Sequence, residues 1–453
     1  MLTATNPLNG EKIADYPALD NEQMHAAINT AFEAQILWAK KSYSERAKVL
    51  TAVAARLRAN KDALAKTMAE EMGKPVKEGG PEVEKAAFCA EHYAEHAEVY
   101  LAHDVLPSDA TLSYVYYPPL GTVLGILPWN APAWLAFRFL APALMAGNTC
   151  VMKHDPNVPG SAAILARAFT EAGAPEHIMV NLPVTTPQVA AAIEDERIAA
   201  VSFTGSAGAG RKVAAAAGGA LKPCILELGG SDPLIVLADA DLERAADVAT
   251  LSRIINAGQS CIAAKRIIVE ASIYDEFVDM LKQRLAKLKL GDPLQSDTDV
   301  GPLARDDLRQ NLHRQVCETL DAGARCLLGG VLPEGDGYFY PPTLLVDVTE
   351  TMTAFTEETF GPVMSVSRAV DMEEALRLAN HTDYGLGAGV WTEDSAQAIY
   401  LAQALNAGQV AINGIVKTDP RLPSGGIKNS GFGRELGPHG IREFVNAKQV
   451  WVK

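Results

Sequence analysis

Through the first hundred residues, apolar positions recur at helical spacing. Met24, Ala27, Ile28, Ala31, Phe32 and Ile36 share one face. A further helix is predicted from near Asn60; it carries Leu64, Met68 and Met72 and stops at Gly73, with Pro75 just beyond. This region therefore reads as helical. From about Thr122 the rhythm changes. The short apolar runs TVLGILP, TCVMK, HIMVNLP, AAVSFTGS and KPCILELGG alternate with helical stretches such as ILARAFTEAG. A second set, RIIVEA, VMSVSRA, GLGAGVWT and GQVAIN, is interleaved with IYDEFVDMLKQRLAKL, MEEALRLAN and AQAIYLAQAL. Alternation of this kind predicts parallel strands joined by crossover helices, in two α/β units. The segment from Pro423 is glycine-rich and ends in the strand-like KQVWVK. An exposed strand tends to pair with another edge, so this tail and Leu101 to Tyr117 are expected to make subunit contacts.

Length and composition fit that plan. The 453 residues suggest two or three domains at about 100–200 residues each. With 48 % hydrophobic and 21 % charged residues, a large core is affordable. A net charge of −15 without a basic run argues against nucleic acid and anionic membranes as partners. MLTATNPLNG lacks the basic and apolar regions of a signal peptide. The most apolar stretch, Trp134 to Met152, is interrupted by Arg138, Pro142 and Asn148 and does not read as a membrane span. Six cysteines (89, 150, 224, 261, 317 and 326) show no C-x-x-C spacing, and free thiols in a reducing cytoplasm are expected.

Four features carry candidate chemistry. The strand AAVSF runs into Thr204-Gly205-Ser206-Ala207-Gly208-Ala209-Gly210 and then a helix, a turn that lets backbone approach a phosphate at a positive helix end. The usual G-x-G-x-x-G spacing is absent, and a tight turn without a ligand explains these glycines equally well. Cys261, in NAGQSC, has small polar neighbours, whereas Cys150 and Cys224 lie in apolar strands. A thiol of this kind needs a base or a cation to become a nucleophile; otherwise it packs as a small hydrophobe. Glu227 stands between leucines before two glycines, where burial would suit a general base or a salt bridge would hold a strand end. Asn130, in PWNAP, offers a neutral donor for an oxyanion, or caps the next helix. The nine histidines form no metal-ligand pattern, and no metal is expected.

The order of these features is informative. Taken with MK at 152–153, EETFGPV at 357–363, NHTDYGLGAGVWT at 380–392 and PSGGIKNSGFGREL at 423–436, the chain resembles the aldehyde dehydrogenase superfamily over essentially its whole length. The resemblance implies an α/β fold of two Rossmann-like parallel-sheet domains plus a small bridging β element. Residues 1–100 and 119–229 would form the nucleotide-binding domain, 230–422 the catalytic domain, and 101–118 with 423–453 the bridging and oligomerisation element. It implies Cys261 as nucleophile, Asn130 as oxyanion donor and Glu227 as base. Trp129, Lys153, Asp155, Gly205, Ser206, Glu358 and Phe360 would line the dinucleotide site: Lys153 on the adenine ribose, Ser206 on the pyrophosphate, and Glu358 and Phe360 on the nicotinamide end.

Within the superfamily, MKHDPNVPG and QSCIAAKRIIVE are most similar to short bacterial succinate-semialdehyde dehydrogenases. Arg138 lies eight residues after Asn130, where such enzymes place an arginine at the substrate's polar end. An internal salt bridge is the competing explanation. Some members carry a second arginine six residues before the thiol; here that position is Ile255, with Arg253 two residues earlier. Many relatives have Lys-Pro-x-Glu, whose glutamate repels a 2′-phosphate, whereas this chain has Lys153-His154-Asp155-Pro156, which leaves NAD or NADP open. The expected partner is a small aldehyde, and the chain is expected to be a homodimer or homotetramer. Lactaldehyde or uncharged aldehydes are alternative substrates. A catalytically silent member would have lost the thiol or the base, a thiol hydrolase would want a histidine beside Cys261, and transfer to coenzyme A sits poorly with a retained Glu227.

Overall fold

The computed structural model describes residues 1–453. Two sheets dominate. The first has six strands: Gly431–Phe432, Cys224–Glu227, Ile198–Thr204, Thr122–Ile126, Thr149–Lys153 and Met179–Asn181, in that order across the sheet. All pair in parallel except Gly431–Phe432, which runs antiparallel to Cys224–Glu227. The second has seven strands, in the order Arg325–Leu328, Thr343–Val346, Val363–Ala369, Ala264–Glu270, Asp232–Val236, Gly387–Trp391 and Gln409–Ile412. Only its first pair is antiparallel. The central strands, such as Thr122–Ile126 and Asp232–Val236, are buried throughout, as continuous apolar runs covered by helices on both faces require.

The predicted alternation appears element for element in both sheets. Four strands of the two sheets fall outside the predicted runs: Asp232–Val236, Arg325–Leu328, Thr343–Val346 and Gly431–Phe432. Asp232–Val236, central to the second sheet, opens with Asp-Pro, which reads as a break. Its Asp232–Pro233 step coincides with a register shift that accommodates the proline. Thr343–Val346 is too short to show a period.

The N-terminal region is not wholly helical, contrary to expectation. Leu2–Thr5 and Lys12–Tyr16 form an antiparallel hairpin before the first helix. Alternating burial in LTAT gives a period of two, too short a run to read against the helical pattern that follows. The helix near Asn60 spans Lys61–Met72 and ends on Gly73 at φ 79°, the left-handed conformation that favours glycine. The helix Asn21–Trp38 buries Met24, Ile28 and Ala31, but Phe32 and Ile36 are 43 % and 53 % exposed. Its apolar face is therefore only half covered.

The tail strand Lys448–Val452 pairs with Leu112–Tyr116, which pairs with Asp104–Val105. This three-stranded ribbon shows Val105, Leu112, Trp451 and Val452 at its surface. The segment from 423 does not belong to the ribbon as a whole, because Gly431–Phe432 joins the first sheet beside Glu227. No helix is long and apolar enough to cross a membrane.

Candidate active site

Loops leaving the carboxyl ends of the first sheet meet loops entering the second. Trp129 and Asn130 follow the strand Thr122–Ile126, Lys153 ends Thr149–Lys153, Gly205 and Ser206 follow Ile198–Thr204, and Glu227 ends Cys224–Glu227. This is where open parallel sheets present ligands. From the other side, Cys261 precedes the strand Ala264–Glu270, and Glu358 and Phe360 precede Val363–Ala369. Between them lies a cavity of about 650 Å³. Every predicted site residue except Glu227 and Arg138 lines it, and no group of residues capable of holding a metal ion occurs.

The thiol loop is held in an unusual backbone. Asn256, Ala257 and Gly258 take φ of 56°, 54° and 74° in succession. Two non-glycine residues in the left-handed region store strain that surrounding contacts must offset. Asn256 N–H donates to Glu78 Oε2 at 2.7 Å, and its Nδ2 donates to Asn130 O at 2.8 Å and Gln259 O at 3.1 Å. Arg253, wholly buried, donates through Nη2 to the carbonyls of Gly258, Thr359 and Gly361. It braces the loop and is not turned to a ligand. Lys265 Nζ donates to Ser260 O at 2.8 Å and to Cys261 O, and lies 3.3 Å from Glu358 Oε1.

The loop brings the Cys261 thiol 3.7 Å from Glu227 Oε1, to which it donates. Asn130 Nδ2 donates to Gln259 O at 3.1 Å, two residues before Cys261, and a side-chain amide has a second N–H to give. Burial, and then the neighbouring Glu227, push the Cys261 thiol well above its ordinary range, against Lys265 and Arg138. A thiol held up in this way needs a base to become a nucleophile, and the Glu227 carboxylate is the group it donates to. Without cofactor, alkylation of Cys261 by iodoacetamide is expected to be slow at neutral pH and to quicken only in alkaline solution. Peptide mass spectrometry against pH checks this; a fast reaction on a plateau from below neutrality would contradict it.

The cofactor cradle fits a dinucleotide in shape and charge. The helix Ala207–Gly219 begins at the cavity, with Ser206 Oγ capping Ala209 N–H at 3.3 Å, so the N-terminal dipole end faces the space. A Cβ on Gly205 would come within 2.6 Å of the Phe203 ring, and one on Gly229 would strike the Glu358 carboxylate. Trp129 and Phe360 meet edge-to-face at 5.8 Å, an apolar wall for a flat ring. Asp155 Oδ1 accepts from Asn157 N–H at 2.9 Å. Lys212 and Arg305 also line the cavity, Arg305 being paired with Asp307 at 2.9 Å. Sequence reasoning missed both, because neither stands in a motif.

Arg138 is placed differently from the expectation that it faces substrate. It is 2 % exposed, and its Nη2 donates to Glu227 Oε2 at 2.9 Å and to Glu435 Oε2. Its charge is matched inside the protein, because two carboxylates buried this deeply require a cation. Glu435, unremarked within the GREL motif, is raised by its own burial while Arg138 opposes that shift.

A two-sheet α/β protein with a thiol, a carboxylate and a side-chain amide converging on a dinucleotide-sized cleft is the class that fold and site define. The chain belongs to the aldehyde dehydrogenase family, whose sequence profile matches residues 1–450. It is 45 % identical over 457 residues to the succinate-semialdehyde dehydrogenase (NADP+) 1 of Mycobacterium ulcerans (strain Agy99), covering 100 % of this chain and 99 % of the relative. The enzyme of the same name from Mycobacterium tuberculosis (strain H37Rv) is 44 % identical over 456 residues, with the same coverage. Among solved structures, the Streptococcus pyogenes succinic semialdehyde dehydrogenase in complex with NADP+ superposes with a TM-score of 0.97 at 33 % identity, covering 100 % of both chains. A lactaldehyde dehydrogenase does so at 0.97 and 34 %, covering 100 % of this chain and 95 % of the other.

Proposed function

We propose that this chain oxidises succinate semialdehyde to succinate with NADP as the preferred acceptor, through a covalent intermediate on Cys261. The observation that carries the chemistry is the Cys261 thiol held 3.7 Å from Glu227 with the Asn130 amide beside the same loop. The substrate and cofactor rest on the relatives named above. Pro156, where a ribose-binding glutamate would repel a 2′-phosphate, and the cationic Lys153, Lys212 and Arg305 around the cavity support NADP.

Glu227 takes the thiol proton as the sulfur attacks the aldehyde carbon. A carbon–sulfur bond forms, and the carbonyl π pair moves to oxygen. Asn130 Nδ2 and the Cys261 backbone N–H hold that oxyanion, donors aimed at charge that develops only in the transition state. Lys153, Ser206, Glu358 and Phe360 would hold a nicotinamide dinucleotide, which would supply the acceptor for the hydride lost as the adduct on Cys261 becomes a thioester. Once the first proton has passed from Glu227 to solvent, the carboxylate deprotonates the water that hydrolyses the thioester, and that second proton goes to the departing sulfur, releasing the acid and restoring the thiol.

Glu227→Gln is expected to lower steady-state turnover by about 10²–10⁴-fold. Intact mass after acid quench locates the block: an acyl adduct on Cys261 places it at thioester hydrolysis, no adduct places it at thiol activation, and wild-type turnover would remove Glu227 from both steps. Initial rates at 340 nm with succinate semialdehyde, lactaldehyde and hexanal, each with NAD and NADP, test the substrate reading. The highest kcat/KM is expected for succinate semialdehyde with NADP, and a preference for hexanal would overturn it. The ribbon carrying Val105 and Trp451 is proposed as the contact of a homodimer or homotetramer, which light scattering of the intact protein measures.

A further inference from the structure

Lys265 stands second in the strand Ala264–Glu270, four residues after the thiol, and its side chain is wholly buried. Its Nζ meets three oxygens: Ser260 O at 2.8 Å, Cys261 O, and Glu358 Oε1 at 3.3 Å. An ammonium has three N–H bonds, so all are committed. Glu358 Oε1 also accepts from Gly230 N–H at 3.1 Å. The next residue, Arg266, donates elsewhere, to the carbonyls of Ser231, Leu378 and Ala379. Lys265 is thus the cation in contact with the thiol loop.

Which carbonyl it holds matters. The Ser260 C=O and the Cys261 N–H are two ends of one peptide group. That N–H meets no acceptor within the protein, and Cys261 lines the cavity. A cation on the carbonyl end draws electron density toward oxygen and makes the N–H a stronger donor, as bonds in a hydrogen-bonded chain polarise one another. Bracing alone does not call for a charge. Arg253 already ties the loop through Gly258 O, and a neutral amide would satisfy the same carbonyls without the desolvation cost of a buried ammonium. The thiol is exposed to the same charge. Glu227, Lys265, Arg138 and Glu358 all act on it, and of the two cations Lys265 opposes its upward shift the more. Lys265 itself faces Glu358 and Asp232.

We infer that Lys265 is a positioning residue for the covalent step: its charge, set against the Ser260–Cys261 peptide, favours the Cys261 thiolate and strengthens the N–H that holds the oxyanion. The inference rests on the proposed role of Cys261.

Lys265→Gln keeps an amide N–H for the carbonyls and removes the charge. The thiolate is then less favoured, and Glu358, left without its cation, acts in the same direction. The pH profile of Cys261 alkylation by iodoacetamide, followed by peptide mass spectrometry on the intact chain, is expected to move by about one pH unit to the alkaline side. At saturating NADP, kcat for succinate semialdehyde is expected to fall about ten-fold, less than the loss of a whole oxyanion donor costs. Lys265→Arg keeps the charge and should keep the wild-type alkylation profile. An unmoved profile in Lys265→Gln, with or without loss of turnover, would reduce Lys265 to a brace and overturn the inference. So would a Lys265→Arg profile displaced to the alkaline side, which can be read even where Lys265→Gln does not fold. Alkylation needs neither substrate nor cofactor, so the two readings fail separately. Turnover surviving in Cys261→Ala would overturn the proposed reaction, whereas an unmoved profile would overturn this inference and leave that reaction standing.

Discussion

Cys261→Ala is expected to reduce aldehyde oxidation by about 10⁴-fold or more, because the covalent route is lost as a unit and only binding contributions remain. The other free cysteines cannot substitute. Cys89 and Cys150 are buried in the core, with their thiols pushed up by desolvation, and the remainder do not line the cavity. The proposed cofactor cradle draws on the strand ends of the first sheet and on Glu358 and Phe360, so dinucleotide binding should survive. Quenching of protein fluorescence on titration with NADP, set beside the rate at 340 nm, separates the two effects. Turnover above about one per cent of wild type would remove Cys261 from the reaction. Loss of cofactor binding together with turnover would instead point to collapse of the strained loop at Asn256–Gly258.

Arg138→Met is expected to cost about 3–5 kcal/mol of stability, the usual penalty for removing one partner of a buried ion pair. Glu227 and Glu435 would then face each other in the interior without a cation. A lower midpoint of urea unfolding measures the loss. The physical cause is tested by Arg138→Met with Glu435→Gln, which removes one of the stranded charges and should recover a substantial part of it. A double variant no more stable than Arg138→Met would show that packing of the long side chain matters more than charge. Catalytically, Arg138→Met should harm the semialdehyde and hexanal alike, since Arg138 acts through the position of Glu227. A selective rise in KM for the semialdehyde would return Arg138 to the role of carboxylate clamp.

The two arginines show where sequence reading loses its grip. An arginine in an apolar helix must have an anionic partner, and that much is legible from WNAPAWLAFR. Which anion it meets depends on Glu435, nearly three hundred residues later, whose segment returns to the first sheet through the antiparallel pairing of Gly431–Phe432 with Cys224–Glu227. Arg253 likewise became a brace for three carbonyls because of a loop whose left-handed turn no local pattern announces.

The sequence by itself determined the alternation of strand and helix, hence the two parallel sheets. Hydrophobic period and the strand-to-helix glycines at Gly205 are local properties of the chain, whereas the site residues at the other strand ends were named through the family resemblance. The sequence did not determine pairing across long separations: the N-terminal hairpin in a helical region, the return of the C-terminal segment beside Glu227, or the charge balance of the buried site. Those were decided by tertiary structure, because the partner of a buried charge is fixed by which distant segment fills the space beside it, and Arg138 is held by carboxylates 89 and 297 residues away.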